Sequence, residues 1–112
     1  MDNTWFEHFP GAITVTDENG VIIAMNAQSA ETFKNDGGRD LIGQNVINCH
    51  PPETQAKVRA LYESGKPNVY TIEKHGKKKL IYQAPFYEDG TLKGVVELSL
   101  PLPEEVLHFK RG

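Results

Sequence analysis

The chain has 112 residues, a net charge of −3, 38% hydrophobic and 24% charged residues, which fits one folded domain with one core. Its longest apolar run, Val21 to Met25, is far short of the ~20 residues a membrane-spanning helix needs, and the acidic balance gives no electrostatic reason to bind nucleic acid. One cysteine, Cys49, excludes an internal disulfide, and Met1-Asp-Asn-Thr lacks a basic start followed by an apolar stretch, so a cytoplasmic protein away from the membrane is expected.

In chain order, Asp2 to Pro10 carries Trp5, Phe6 and Phe9 at i, i+1, i+4 spacing, which predicts one aromatic stripe on a short helical cap. Such a stripe needs covering, so these three residues are the candidate dimer interface. Two β-branched runs follow, with Ile13 and Val15 before an Asp-Glu-Asn-Gly turn and Val21, Ile23 and Met25 after it. Their period of two puts each set on one sheet face, and Asn19-Gly20 is expected to supply the positive φ angles of the turn. Asn26 then caps a helix over Ala27–Phe33. Asn35-Asp36-Gly37-Gly38 breaks the chain before a short helical stretch, Arg39 to Ile42, stopped by Gly43. A longer helix starts near Pro52, buries Val58, Leu61 and Tyr62, and ends at Gly65. Three strands are expected at Asn68–Lys74, Lys78–Phe86 and Leu92–Leu100, joined by turns at His75-Gly76 and Glu88-Asp89-Gly90. Pro101-Leu-Pro103 ends the sheet and begins a tail over 101–112. The basic run Lys74-His75-Gly76-Lys77-Lys78-Lys79 is read as a solvated hairpin.

The order strand-strand, short helices, three strands resembles the PAS family. The resemblance covers about Phe6 to Leu100 and rests on Phe9-Pro10-Gly11-Ala12-Ile13, Asp17-x-x-Gly20 with Asn26, Leu41-Ile42-Gly43-Gln44, and Pro85 with Gly90 and Gly94. It implies a single α+β domain over residues 1–112: a five-stranded antiparallel sheet with short helices on one face, preceded by a cap over 1–10. Asn48-Cys49-His50-Pro51-Pro52 resembles a segment of small bacterial PAS proteins. At the C-terminal end, Leu100-Pro101-Leu102-Pro103 replaces the Asp-Ile-Thr that leads many PAS domains into an output helix.

The resemblance further implies sensing through a small molecule or cofactor held between the helices and the inner sheet face. It names no particular cofactor. Photosensory flavin-binding members resemble Gly-x-Asn-Cys, whereas Gly43-Gln44-Asn45 is followed here by Val46. Members with a cysteine-linked chromophore need a Tyr and a Glu at positions occupied by Met25 and Ser29. Oxygen-sensing haem members place a His in the long helix, where this chain has none and the matching position is Val58.

Among polar residues, His50 is held between Cys49 and two prolines that restrict its backbone, and serves either as a ligand contact or as a helix cap. Cys49 is read as a small buried hydrophobe, with a redox role as the alternative. Glu97, between Val96 and Leu98, needs a partner, either a ligand or a cross-strand lysine such as Lys79. Tyr70, Tyr82, Gln83 and Asn48 complete the candidate set, with Tyr82 and Gln83 on opposite faces of one strand. The anticipated ligand is a small polar or carboxylate-bearing molecule. No metal set, activated nucleophile, carboxylate pair or phosphate loop is present in the sequence, so the expected protein is non-catalytic. It would act as a homodimer and pass a signal to a downstream signalling protein. The alternatives are a purely structural dimerisation domain, its core filled by Tyr62, Tyr70 and Phe86, or a haem or redox sensor. Reconstitution with flavin or haemin should give neither a light-induced cysteinyl adduct nor a haem spectrum that depends on a residue of Pro52–Ser64.

Overall fold

The computed structural model describes residues 3–45 and 52–112. Helix α1 (Thr4–His8) leads into strands β1 (Ala12–Asp17) and β2 (Ile22–Met25), followed by α2 (Ala27–Thr32), two 3₁₀ turns (Lys34–Asp36 and Gly38–Leu41) and α3 (Pro52–Ser64). Strands β3 (Asn68–Lys74), β4 (Lys77–Glu88) and β5 (Thr91–Pro101) complete a five-stranded antiparallel sheet of order β2-β1-β5-β4-β3. This is the expected architecture. The stretch expected as a helix over Arg39–Ile42 is a 3₁₀ turn, and β4 and β5 run one or two residues further than anticipated at their ends.

Both long hairpins close through two residues of positive φ, His75-Gly76 at 55° and 75° and Asp89-Gly90 at 53° and 77°, whose twist matches that of the flanking strands. The first hairpin turn closes differently. Gly20 takes a positive φ of 85° and Asn19 does not, because the Asp17 carboxylate Oδ1 accepts from the backbone N–H groups of Asn19 at 2.9 Å and Val21 at 3.0 Å. An aspartate folding its own backbone removes the need for two left-handed residues.

The expected alternation Val21, Ile23, Met25 also fails. Ile22 and Met25 are buried while Ile23 is 50% exposed, because Val15 pairs with Ala24 and Thr16 with Ile22, leaving Ile23 as the extra residue of a β-bulge. A second bulge lies between β4 and β5: Tyr87 pairs with Leu92 but Phe86 with Gly94, so Lys93 is extra. Gly94 is required there, since an added Cβ would stand 1.9 Å from the Thr16 carbonyl oxygen of β1.

Asn26 fastens the first hairpin to α2. Its side chain is fully buried; Oδ1 accepts from Ser29 N at 2.9 Å and from Ile13 N at 3.0 Å, and Nδ2 donates to Gly11 O at 2.9 Å. Helix α3 is anchored by Tyr62, whose hydroxyl donates to Asp17 O at 3.0 Å and shares a 2.7 Å hydrogen bond with the Thr16 hydroxyl. Leu61 beside it is buried; the Val58 side chain lies outside the description. Burial holds the Tyr62 phenol above its ordinary pKa, with Asp17 and Glu18 adding to the rise and the Thr16 hydrogen bond opposing it. At the far end, β5 stops at Pro101, Leu102 N donates to Lys78 O at 3.0 Å, and Val106, Leu107 and Phe109 of the tail are exposed.

Asn26→Ala strands two buried N–H groups and a carbonyl and should cost about 2–4 kcal/mol, measured by urea unfolding with an unchanged slope. Folding raises the Tyr62 pKa, so the stability linked to the neutral phenol is intact below about pH 10 and is lost as pH rises through the folded-state value. Tyr62→Phe should cost about 1 kcal/mol at neutral pH and make the alkaline loss of stability shallower, as read by unfolding at a series of pH values.

Candidate functional site

Strand registers sort the sheet into two chemically different faces. On the face that carries α2 and α3, Tyr70, Ile81, Ser99 and Ala12 form one cross-strand row. Asn68, Gln83, Glu97, Thr14 and Met25 form the next, and Pro85, Val95, Thr16 and Ile22 the third. This is the inner face, since the Thr14 hydroxyl meets the buried Ser29 hydroxyl of α2 at 2.6 Å and Thr16 meets Tyr62 of α3. The opposite face carries Val69, Tyr82, Leu98 and Ile13, together with Ala84, Val96, Phe86 and Leu100.

The middle inner row is polar from Asn68 through Thr14 and ends on the buried Met25. Asn68 Nδ2 donates to Gln83 Oε1 at 3.0 Å, and Gln83 Nε2 donates to Glu97 Oε2 at 2.6 Å. Glu97 and Gln83 are half-buried and Tyr70 is 43% exposed. In the neighbouring row the Tyr70 phenol is raised above its ordinary pKa, first by burial and then by the negative charge of Glu97. Polar pairing of this kind satisfies groups that would otherwise lose hydration, and it leaves a carboxylate edge and a phenol facing the same side.

The sequence candidates therefore separate. Tyr70, Gln83 and Glu97 come together on the inner face; Tyr82 stands on the other face, paired with Leu98 and Val69. Glu97 is partnered by Gln83 and not by Lys79, which pairs with Ile72 and Pro101 two rows away. Asn48, Cys49, His50 and Val46 lie outside the described residues. The core expected from Tyr62, Tyr70 and Phe86 is not made: Tyr62 bonds to Thr16 and Asp17, and Phe86 faces outward in step with Tyr82. Sequence reasoning missed Asn68, Thr14 and Ser29. The signal for Asn68 was available, since counting back from the His75-Gly76 turn sets it opposite Gln83.

At the N-terminus the aromatic residues do not form one helical stripe. Pro10 disfavours helical backbone at the residue before it, and Phe9 is accordingly extended with ψ 133°, so α1 ends at His8. Trp5 is 66% exposed and meets the half-buried Phe6 edge to face at 5.8 Å, while Phe9 lies over Gly11 beside Leu100. Arg39 holds this segment in place by pairing with Glu7 and donating to Met25 O at 3.1 Å. Among the described residues, no group of three or more His, Cys, Asp or Glu is placed to hold a metal ion, and no helix is long and apolar enough to cross a membrane.

Comparison with known proteins gives the fold a family. No curated protein matches the sequence. Among solved structures, a C-terminal domain from Streptococcus mutans is similar with a TM-score of 0.73 and 23% identity, over 88% of this chain and 81% of that one. Vibrio cholerae VqmA in a complex with ligand and DNA gives a TM-score of 0.69 and 20% identity over 93% of this chain and 51% of VqmA. The chain thus spans about half the length of that protein. The PAS domain of the histidine kinase ThkA gives a TM-score of 0.64 and 20% identity, over 80% of this chain and 97% of that one. A family model for the PAS fold matches residues 6–67, more than half of the chain, and together with the sheet order this shows that the chain belongs to the PAS-fold family.

Proposed function

We propose that this PAS domain is a non-catalytic sensory module that takes up a small polar molecule on its inner sheet face and works as a homodimer. The observation that carries the reading is the hydrogen-bonded row Asn68–Gln83–Glu97 beside Tyr70. A row serving only stability would more cheaply be apolar, since half-buried polar groups gain little net free energy from pairing. Its flanking rows supply the apolar walls common to small-molecule sites, with Ile81 on one side and Val95 on the other, both buried. Asn48 and His50, just ahead of α3, are the further contacts we assign to this site. The similar VqmA is described bound to DPO, which fits a small-molecule role for the fold. The ligand's identity gives the cofactor; a downstream signalling protein is the recipient.

Dimerisation is assigned to the outer face and the N-terminal segment. Val69, Tyr82, Phe9 and Trp5 are all more than a third exposed, an apolar display that a second copy would cover. The reading has no role for nucleic acid or membrane, and it places the protein in the cytoplasm.

Native mass spectrometry of freshly purified protein should show a dimer carrying added small-molecule mass. Once that compound is identified, Gln83→Ala or His50→Ala should weaken its binding by about 1–3 kcal/mol, some five- to 150-fold, while the turn variant His75→Ala leaves affinity unchanged. Equal affinity in all three variants would remove the inner face from the function. Removing residues 1–9 should convert dimer to monomer or aggregate in sedimentation, and an unchanged dimer would exclude Trp5, Phe6 and Phe9 from the interface.

A further inference from the structure

We infer, resting on the inner-face site above, that its ligand is a cationic N–H donor, of amidinium or ammonium type, received by the Glu97 carboxylate. The direction of the polar row decides this. An ionised carboxylate accepts hydrogen bonds and cannot donate. Gln83 must therefore turn its amide nitrogen to Glu97, which leaves its carbonyl to accept from the amide nitrogen of Asn68. Donation runs one way along the row, from Asn68 through Gln83 to Glu97, and ends in negative charge.

That charge has no cationic partner among the described residues. The ion pairs among these residues are Lys34–Glu31 and Arg39–Glu7, neither of which includes Glu97, and the Glu97 Oε1 atom makes no hydrogen bond with them. The amide of Gln83 satisfies one oxygen without neutralising the group. The nearby Tyr70 phenol, raised above its ordinary pKa first by burial and then by this charge, offers a hydroxyl that both donates and accepts. A carboxylate-bearing ligand would bring like charge against a half-buried anion, which costs binding free energy. An amidinium or ammonium group would instead complete a charge-assisted hydrogen bond with Oε1 and lay its apolar body along the rows of Ile81 and Val95. Of the polar or carboxylate-bearing ligands anticipated from the sequence, the polar class is kept and the carboxylate-bearing one set aside.

Two probes of equal shape and opposite charge test this: benzamidinium and benzoate, titrated into the ¹⁵N-labelled full chain while the backbone amides of Asn68, Tyr70, Gln83 and Glu97 are followed. Benzamidinium should shift these amides at millimolar concentration and benzoate should not, and Glu97→Gln should weaken benzamidinium binding by about tenfold or more. Benzoate binding at the row as tightly as benzamidinium, or benzamidinium indifferent to Glu97→Gln, overturns the ligand class while leaving an inner-face site in place. If neither probe moves these amides, the site itself fails along with the ligand class. The comparison of the two probes on the unaltered chain needs no variant, so a misfolded Glu97→Gln would not rescue the idea.

Discussion

A single buried amide holds the first half of this domain together. Asn26 is surrounded by protein on all sides, and its three side-chain hydrogen bonds reach a residue ahead of β1, a residue within β1 and the first turn of α2. No hydrophobic contact could do the same, because dispersion and burial are nearly non-directional while an amide offers a donor and an acceptor at fixed angles. The short helix that follows is six residues long and would not persist alone. It is placed over the sheet because the residue that caps it is the residue that bonds to the strand, and Ser29 is thereby brought onto Thr14.

The consequence runs across the sheet. β1 fixes β5 by pairing along Ala12–Asp17, and β5 fixes β4 and so β3. Thr14 therefore shares a row with Glu97, Gln83 and Asn68, and the row's chemistry changes from a buried structural contact at α2 to an exposed polar end at the edge strand. One side of the row is spent on holding the fold; the other is available to a partner. Helix α3 supports the division, its Tyr62 taking up Thr16 and the Asp17 carbonyl and leaving the polar row alone.

Much of this was legible in the residues. The two type I′ turns are visible in His75-Gly76 and Asp89-Gly90, the helix start at Asn26 in its capping side chain, and the succession of strands and helices along the chain in the family pattern. The face assignment of Tyr82 and Gln83 was not legible, because both alternate sets of that strand contain apolar and polar residues. The two extra bonds of Asn26 were hidden as well: capping is a local signal, whereas Gly11 and Ile13 meet Asn26 only after β1 and β2 have paired. Phe9 was misplaced for a readable reason, since the restriction imposed by Pro10 was in the sequence. Glu97 is the instructive case. Its need for a partner was evident, but which residue faced it depended on an irregularity that leaves no mark in hydrophobic periodicity.

That irregularity, the unpaired Lys93 ahead of Gly94, acts as a phase setting for everything downstream of it. Counted outward from the Asp89-Gly90 turn with no interruption, Glu97 would stand across from Tyr82 and join the apolar side of the sheet, while Val96 would stand across from Gln83. One inserted residue reverses the parity and delivers a carboxylate to the helix side. Related chains that differ here by a single-residue gain or loss would thus keep the same residues and present them inside out, so that a length change of one position, ordinarily dismissed as loop variation, would exchange the chemistry of the two faces.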